Sequence, residues 1–239
     1  FGPRCSPDQP SYGRVRAFVR ENLDNMVMAT PDVPGPLGFL FTGAGDGRVT
    51  VEKRREGGDE ITVTTIATPR GPLTMTTRMN AEAYTVWTTG YPVKTEEDVD
   101  RLLSLPNIPA APSMESFRDI EAAAGNRGIM MADVHDPMGM VATVMCFSDY
   151  IMLMATNRKK FRALLDMFAE RIGDWLDAAL EAGTGPLFRI VGPELCTPPY
   201  MRPEDFREFV VEYDRPLIDK IHRAGRYARV HCHGNIAKV

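Results

Sequence analysis

A chain of 239 residues is long enough to bury one barrel-sized core, and 44% hydrophobic with 25% charged residues is the composition of a soluble globular protein. A net charge of -4 gives no field suited to gripping phosphate backbones, which argues against nucleic acid as a partner. The four cysteines, Cys5, Cys146, Cys196 and Cys232, are scattered without paired spacing, so a reducing, cytoplasmic setting is expected rather than a disulfide framework. No apolar run approaches the roughly 18 to 20 residues that span a bilayer, and Phe1 to Cys5 lacks a signal-peptide pattern.

From Ser11 to Met26 the apolar positions Val15, Phe18, Val19, Leu23 and Met26 recur at helical spacing, with Ser11 as the expected N-cap. Beyond the Pro/Gly-rich stretch 31–38 the period becomes two: Val49, Val51 and Lys53, then Ile61, Val63 and Thr65 across a Gly57-Gly58-Asp59 turn. Two further β-rich runs, 74–78 and 83–88, follow the turn at Thr68 to Leu73, and together these predict a small antiparallel hairpin appendage over about 48–93.

Thr95-Glu96-Glu97-Asp98 opens a helix that Pro106 ends, and another from Ser113 closes at Gly125 before the strand-like run Gly128 to Val134. Helical stretches are expected over 138–156 and 157–182, the second with Phe161, Leu164, Leu165, Phe168, Ile172, Leu176 and Leu180 on one stripe. Strand 187–191, a loop to Pro203, helix 204–224 and strand 227–232 complete the pattern. Strands alternating with long helices predict a parallel sheet covered by helices, and no Gly-x-Gly-x-x-Gly follows any strand to support a dinucleotide fold. In a barrel, strand C-termini face the reaction site, which brings forward Asp133, His135, Glu194, Cys196, His231 and His233.

His231 and His233 stand two apart at a strand end, so their side chains can converge on one ion, with Glu194 or Cys196 as a third ligand. Alternatively the pair hydrogen-bonds substrate carboxylates or loop carbonyls. Cys232, between them, points away and reads as core. Glu194 precedes the rigid loop Leu195 to Tyr200 and suits acid-base work, metal binding or loop bracing, whereas Asp136 before Pro137 reads as a helix cap. Fourteen methionines either line a pocket for a flat ligand or fill the core. Arg70 and Arg78 on the appendage either recognise anionic groups or solubilise it, and His222 reads as solvated.

Ala67-Thr68-Pro69-Arg70-Gly71-Pro72-Leu73, Val93 to Asp98, Arg202-Pro203-Glu204-Asp205-Phe206-Arg207-Glu208-Phe209, Ile221 to Gly225 and His231-Cys232-His233-Gly234-Asn235 occur in an order that resembles the uroporphyrinogen decarboxylase superfamily. The text is closer to its cobalamin-dependent methyltransferase branch. The resemblance implies a single domain over 1–239, an α/β (β/α)8 TIM barrel truncated at its C-terminal end, with the β-rich insertion. It implies methyl transfer between a corrinoid and a small acceptor, with zinc activating the acceptor. Uroporphyrinogen-type decarboxylation and a non-catalytic tetrapyrrole- or corrinoid-binding module are the alternatives. Under this resemblance Glu194, Asp133 and His135 are candidate catalytic residues, Tyr200 and Arg78 candidate cofactor contacts, and His231, His233 and Glu194 candidate metal ligands. Candidate partners are a small-molecule substrate, a corrinoid protein and a second copy of the chain. The branch's last motif reads His-x-Cys-Gly; here His233 stands where that Cys is expected.

Overall fold

The structure, a computed structural model, describes residues 10–80, 85–233 and 236–239. Helix α1 (Pro10–Asn22) and strand β1 (Asn25–Met28) open the chain. An antiparallel meander follows: β2 (Val49–Glu56), β3 (Asp59–Thr68), β4 (Gly71–Asn80) and β5 (Thr85–Gly90). Then come α2 (Glu96–Leu103), α3 (Glu115–Ala124), β6 (Gly128–His135), α4 (Pro137–Val144), α5 (Phe147–Thr156), α6 (Arg158–Glu181) and β7 (Leu187–Val191). The last elements are α7 (Pro203–Phe206), a π-helical turn over Arg207–Val211, α8 (Glu212–Arg223) and β8 (Tyr227–His231).

The expected barrel is met as a four-stranded parallel sheet ordered β1-β6-β7-β8; among the described residues the barrel is not closed. Its helix-covered face carries the buried Met130 and also Ala132, Val134, Phe188 and Ile190, which join a core that includes Phe161, Leu164, Phe168 and Ile172 of α6. Alternation along each strand sends the intervening residues to the opposite face. Register sets them in rows there: Met28, Met131, Leu187 and Tyr227; then Asp133, Arg189 and Arg229; and, at the C-terminal edge, His135, Val191 and His231.

The appendage is the predicted hairpin extended to four strands, with β3 and β4 paired over ten residues each. Ile66 and Leu73 are buried and join the core that holds Val99 and Leu102 of α2, which anchors the meander. Residues 83 and 84, expected in its last strand, lie outside the described residues. At the start of α2 the capping box forms as expected: Thr95 Oγ1 accepts from the Asp98 amide at 3.2 Å while Asp98 Oδ2 accepts from the Thr95 amide at 3.1 Å.

Three expectations are corrected. Helix α1 begins at Pro10, so Ser11 lies within its first turn, and Met26 is not helical; the Leu23-Asp24 break frees Asn25–Met28 to pair with Gly128–Met131 of β6. Val15 and Phe18 of α1 are exposed. The stretch 138–156 is two helices, because Met145 turns to extended backbone and pairs with Val93, whose amide takes the Val144 carbonyl at 3.0 Å. The helix expected over 204–224 contains the π-helical turn, a register change of the kind that inserts one residue into a helix.

Candidate functional site at the strand C-termini

Because β6, β7 and β8 run parallel, their C-terminal ends share one edge, and that edge gathers most of the residues singled out in the sequence. One row below it, the carboxylate of Asp133 meets Arg189 in a two-pronged ion pair, Nε to Oδ1 at 2.7 Å and Nη2 to Oδ2 at 2.6 Å. The Asp133 amide also donates to Thr30 Oγ1 at 2.8 Å, extending the β1 contact past the strand. Arg229, next in this row, is exposed.

At the edge itself His135 keeps a solvent-accessible side, yet the protein around its ring holds its pKa below 6.5; Asp133 and Glu194 oppose that shift, while Arg189 adds to it. A neutral imidazole near physiological pH can accept a proton. His231 and His233 lie with Nε2 atoms 2.8 Å apart, their rings edge-to-face at 87° and 4.5 Å between centroids. One nitrogen donates and the other accepts, which makes the two imidazoles a proton-sharing unit. The expected convergence of the pair thus occurs, although β8 ends at His231 and His233 lies in the segment beyond it.

A zinc ion coordinated tetrahedrally at about 2.0–2.1 Å would need these nitrogens about 3.3 Å apart. Among the described residues no group of three His, Cys, Asp or Glu is arranged to hold a metal. As they stand, His231, His233 and Glu194 do not fit a zinc site.

Glu194 sits in the 3-10 turn Pro193–Cys196 directly after β7, entered through Gly192 at a φ of 134° that favours glycine. Its Oε2 is buried and has no hydrogen-bond partner among the described residues. Asp136 is the expected cap: it starts α4, accepts from the Gly139 amide at 2.5 Å, and its own amide donates to the Val191 carbonyl at 2.9 Å. Asp136 is fully buried, and desolvation, then Asp214 and Glu194, push its pKa well above the usual carboxylate range.

The nearby thiols are both disfavoured as thiolates. Burial, reinforced by Asp205 and Asp136, pushes Cys196 up to about 12, and Cys232 is raised by burial and then by Glu194, Asp136 and Asp214. Tyr200 ends the loop after this turn and is 65% exposed, its ring edge-to-face with Phe147 at 5.0 Å. The loop is held from below by Tyr150, whose hydroxyl donates to the Leu195 carbonyl at 3.0 Å. Arg78 is elsewhere: it belongs to the antiparallel meander, where it pairs with Asp59 and, together with Asn80, holds that carboxyl below its ordinary pKa.

Sequence reasoning missed Arg189, Arg229 and Asp214. A charged residue in the middle of an apolar strand, as in Leu187-Phe188-Arg189-Ile190-Val191, was a signal for the first two. Asp214 stands on the stripe Val210, Leu217 and Ile221, where helical spacing calls for an apolar side chain.

A family model described as uroporphyrinogen decarboxylase (URO-D) matches residues 60–239, well over half of the chain. No curated protein and no solved structure matches. Among the described residues no helix is long and apolar enough to cross a membrane.

Proposed function

The chain belongs to the uroporphyrinogen decarboxylase family, and from that premise we propose that it transfers a methyl group from a corrinoid to a small acceptor, at the edge where β6, β7 and β8 end. The observation that carries this reading is the His231–His233 pair, with Nε2 atoms 2.8 Å apart. Two imidazoles in contact form a base that can take the acceptor's proton and delocalise it over both rings, generating the nucleophile near neutral pH. The histidine pair would take the acceptor's proton and so free the acceptor's electron pair for the methyl carbon, while the electron pair of the broken bond to the methyl would stay on the corrinoid. The corrinoid, when bound, supplies the methyl group; Tyr200, exposed on the rim loop beside Phe147, offers a flat apolar surface for a macrocycle.

Decarboxylation of a tetrapyrrole polyacid is the second reading. A polyacid asks for several cationic groups at its carboxylates. On this face of the sheet Arg189 is already committed to Asp133, which leaves Arg229 as the cation in that row without an ion pair among the described residues. The balance favours methyl transfer.

The test follows the visible spectrum of methylcobalamin mixed with the protein and a thiol. Demethylation that falls at least tenfold in His231→Ala and His233→Ala supports the reading. An unchanged spectrum with the wild-type protein, together with carboxyl loss from uroporphyrinogen seen by product chromatography, replaces it with decarboxylation. A tetrapyrrole that binds without either reaction points to a binding module. Metal analysis tests the misfit of these residues to zinc: about one equivalent retained after zinc addition would overturn it.

A further inference from the structure

The antiparallel meander has two edges, and they are built differently. At one, β2 carries Glu52-Lys53-Arg54-Arg55-Glu56, an unbroken run of charge. At the other, β5 reads Thr85-Val86-Trp87-Thr88-Thr89-Gly90, without a charged residue or a proline. Among the described residues no strand pairs with the outer side of either. An open edge offers its backbone donors and acceptors to any strand that can reach it, and charge is a common protection. The first edge has that protection and the second lacks it. Apolar surface gathers at the same place: Trp87 is 62% exposed and Val86 43%, and alternation sends them to opposite faces, so an apolar side chain stands out on each face of this edge.

Charge also selects the occupant. A strand that adds to its own copy about a two-fold axis normal to the sheet runs antiparallel to it. Because neighbouring pairs in such a ladder alternate in type, the axis must pass where one residue faces itself. Wherever it falls in the charged run of β2, a charge meets its own copy. About Arg54, the middle of that run, Arg54 meets Arg54, Lys53 meets Arg55 and Glu52 meets Glu56, every pair of like charge. About Trp87 in β5, Trp87 meets Trp87, Val86 meets Thr88 and Thr85 meets Thr89, all aromatic or β-branched, the side chains that favour cross-strand contact. The register shift against β4 falls between Thr76 and Thr77, beyond Thr88, so residues 85–88 pair regularly with β4.

We propose that β5 is a self-association edge, where two copies of the chain join their meanders into one eight-stranded antiparallel sheet centred on Trp87. The same patch serves both copies, and the charged β2 strands form the outer ends, so the contact closes at a dimer and does not run on as a fibre. Trp87, which loses its water against its own copy, is the anchor. Six residues a side fall short of the roughly 20 to 30 of a tight interface, so the dimer is weak, with a dissociation constant on the order of 10–100 μM. The contact is independent of the chemistry at the strand C-termini.

The test is sedimentation velocity of the full 239-residue chain from about 5 to about 500 μM, with tryptophan emission read in parallel. The chain has two tryptophans, and Trp175 is only 3% exposed, so a blue shift with rising concentration reports Trp87 leaving water. The wild type is expected to pass from monomer to dimer with that shift. Trp87→Lys and Trp87→Glu should each raise the dissociation constant about tenfold or more, because like charges then meet at the axis, and an equimolar mixture of the two should recover the dimer. Val51→Lys, at an exposed position on β2, should behave as the wild type. If a charge at position 87 disturbs the fold, Thr89→Lys at an exposed position of the same strand asks the same question. A chain that stays monomeric over the whole range overturns the proposal. So does a dimer that the charged β5 variants leave intact or that Val51→Lys breaks, and so does a Lys/Glu mixture that stays monomeric.

Discussion

Arg189 grips Asp133 across the β6–β7 ladder with two parallel hydrogen bonds of 2.7 and 2.6 Å, one row beneath the histidines at the sheet's edge. Both side chains are largely covered, at 19% and 26% exposure, so the pair is screened less than a surface ion pair. Losing one partner leaves the other poorly solvated. Arg189→Met and Asp133→Asn should each lower stability by about 1–2 kcal/mol, and the double variant by clearly less than their sum, a coupling of about 1 kcal/mol or more. Urea unfolding of the four proteins measures it, and additive losses would show that the pair contributes no mutual energy.

Much of the scaffold was legible because periodicity is local. The alternation through Ile61, Val63 and Thr65 announced β3, and the stripe from Phe161 to Leu180 announced α6 within a residue of its ends. Met26 misled, since one methionine at helical spacing carries no sign that its neighbours will pair with β6 instead. The site was half legible. His231, His233, His135 and Glu194 could be found from their places at strand ends, but contacts between distant segments could not. Asp133 meets Arg189 across 56 positions, and that partnership depends on the register of two parallel strands, which no local pattern states. That Asp136 and Asp214 are both buried, each with a carboxyl oxygen lacking a partner among the described residues, depends on how α4 and α8 pack into the core, which no local pattern states either.

Arg171, in the middle of α6, is buried without a carboxylate partner among the described residues; it donates to the Leu105 carbonyl at 2.9 Å and the Leu40 carbonyl at 3.4 Å. Burial holds its pKa down to about 10, so the site disfavours the charge while using the side chain's volume and donors. Arg171→Ala should therefore destabilise by about 3 kcal/mol through the cavity and the two abandoned carbonyls. Arg171→Met fills most of that volume and removes a poorly compensated charge, so about 1 kcal/mol is expected. Equal losses in urea unfolding would assign the effect to the hydrogen bonds alone.

Asp205, at the start of the α7–α8 segment, is covered by two arginines: Arg158 Nη1 and Arg202 Nη2 on Oδ1, each at 2.9 Å, and Arg202 Nε on Oδ2 at 2.9 Å. Arg202 first, and then Arg158 against the desolvation, hold its pKa down to about 2. A depressed native pKa means that the unfolded chain takes up a proton first, so this stabilisation is complete above about pH 4 and is lost as pH falls towards 2. With Arg202 mostly exposed, about 1–2 kcal/mol is at stake. Asp205→Asn should be less stable at pH 6 and should flatten the decline between pH 4 and 2; an unchanged acid limb in urea midpoints would place the acid sensitivity elsewhere.

Two glycines separate backbone strain from overlap. Gly225, after α8, has a φ of 70° and open space where a Cβ would go, so Gly225→Ala meets only the left-handed backbone penalty, about 1 kcal/mol. Gly192 has a φ of 134°, and a Cβ there would run into the Asp136 carboxylate and close on Gly139. An alanine at 192 must therefore push Asp136 off the Gly139 amide, uncapping α4, or else displace the turn that carries Glu194. Either route adds the loss of a cap, about 1 kcal/mol, to the backbone penalty and to the strain of overpacking, about 1–3 kcal/mol more. Thermal melts should show Gly192→Ala losing at least twice what Gly225→Ala loses, and the gap should narrow when the larger loss is measured in an Asp136→Ala background, where the colliding carboxylate is gone. A gap that persists in that background would mean that the backbone at Gly192, and not Asp136, sets the requirement for glycine.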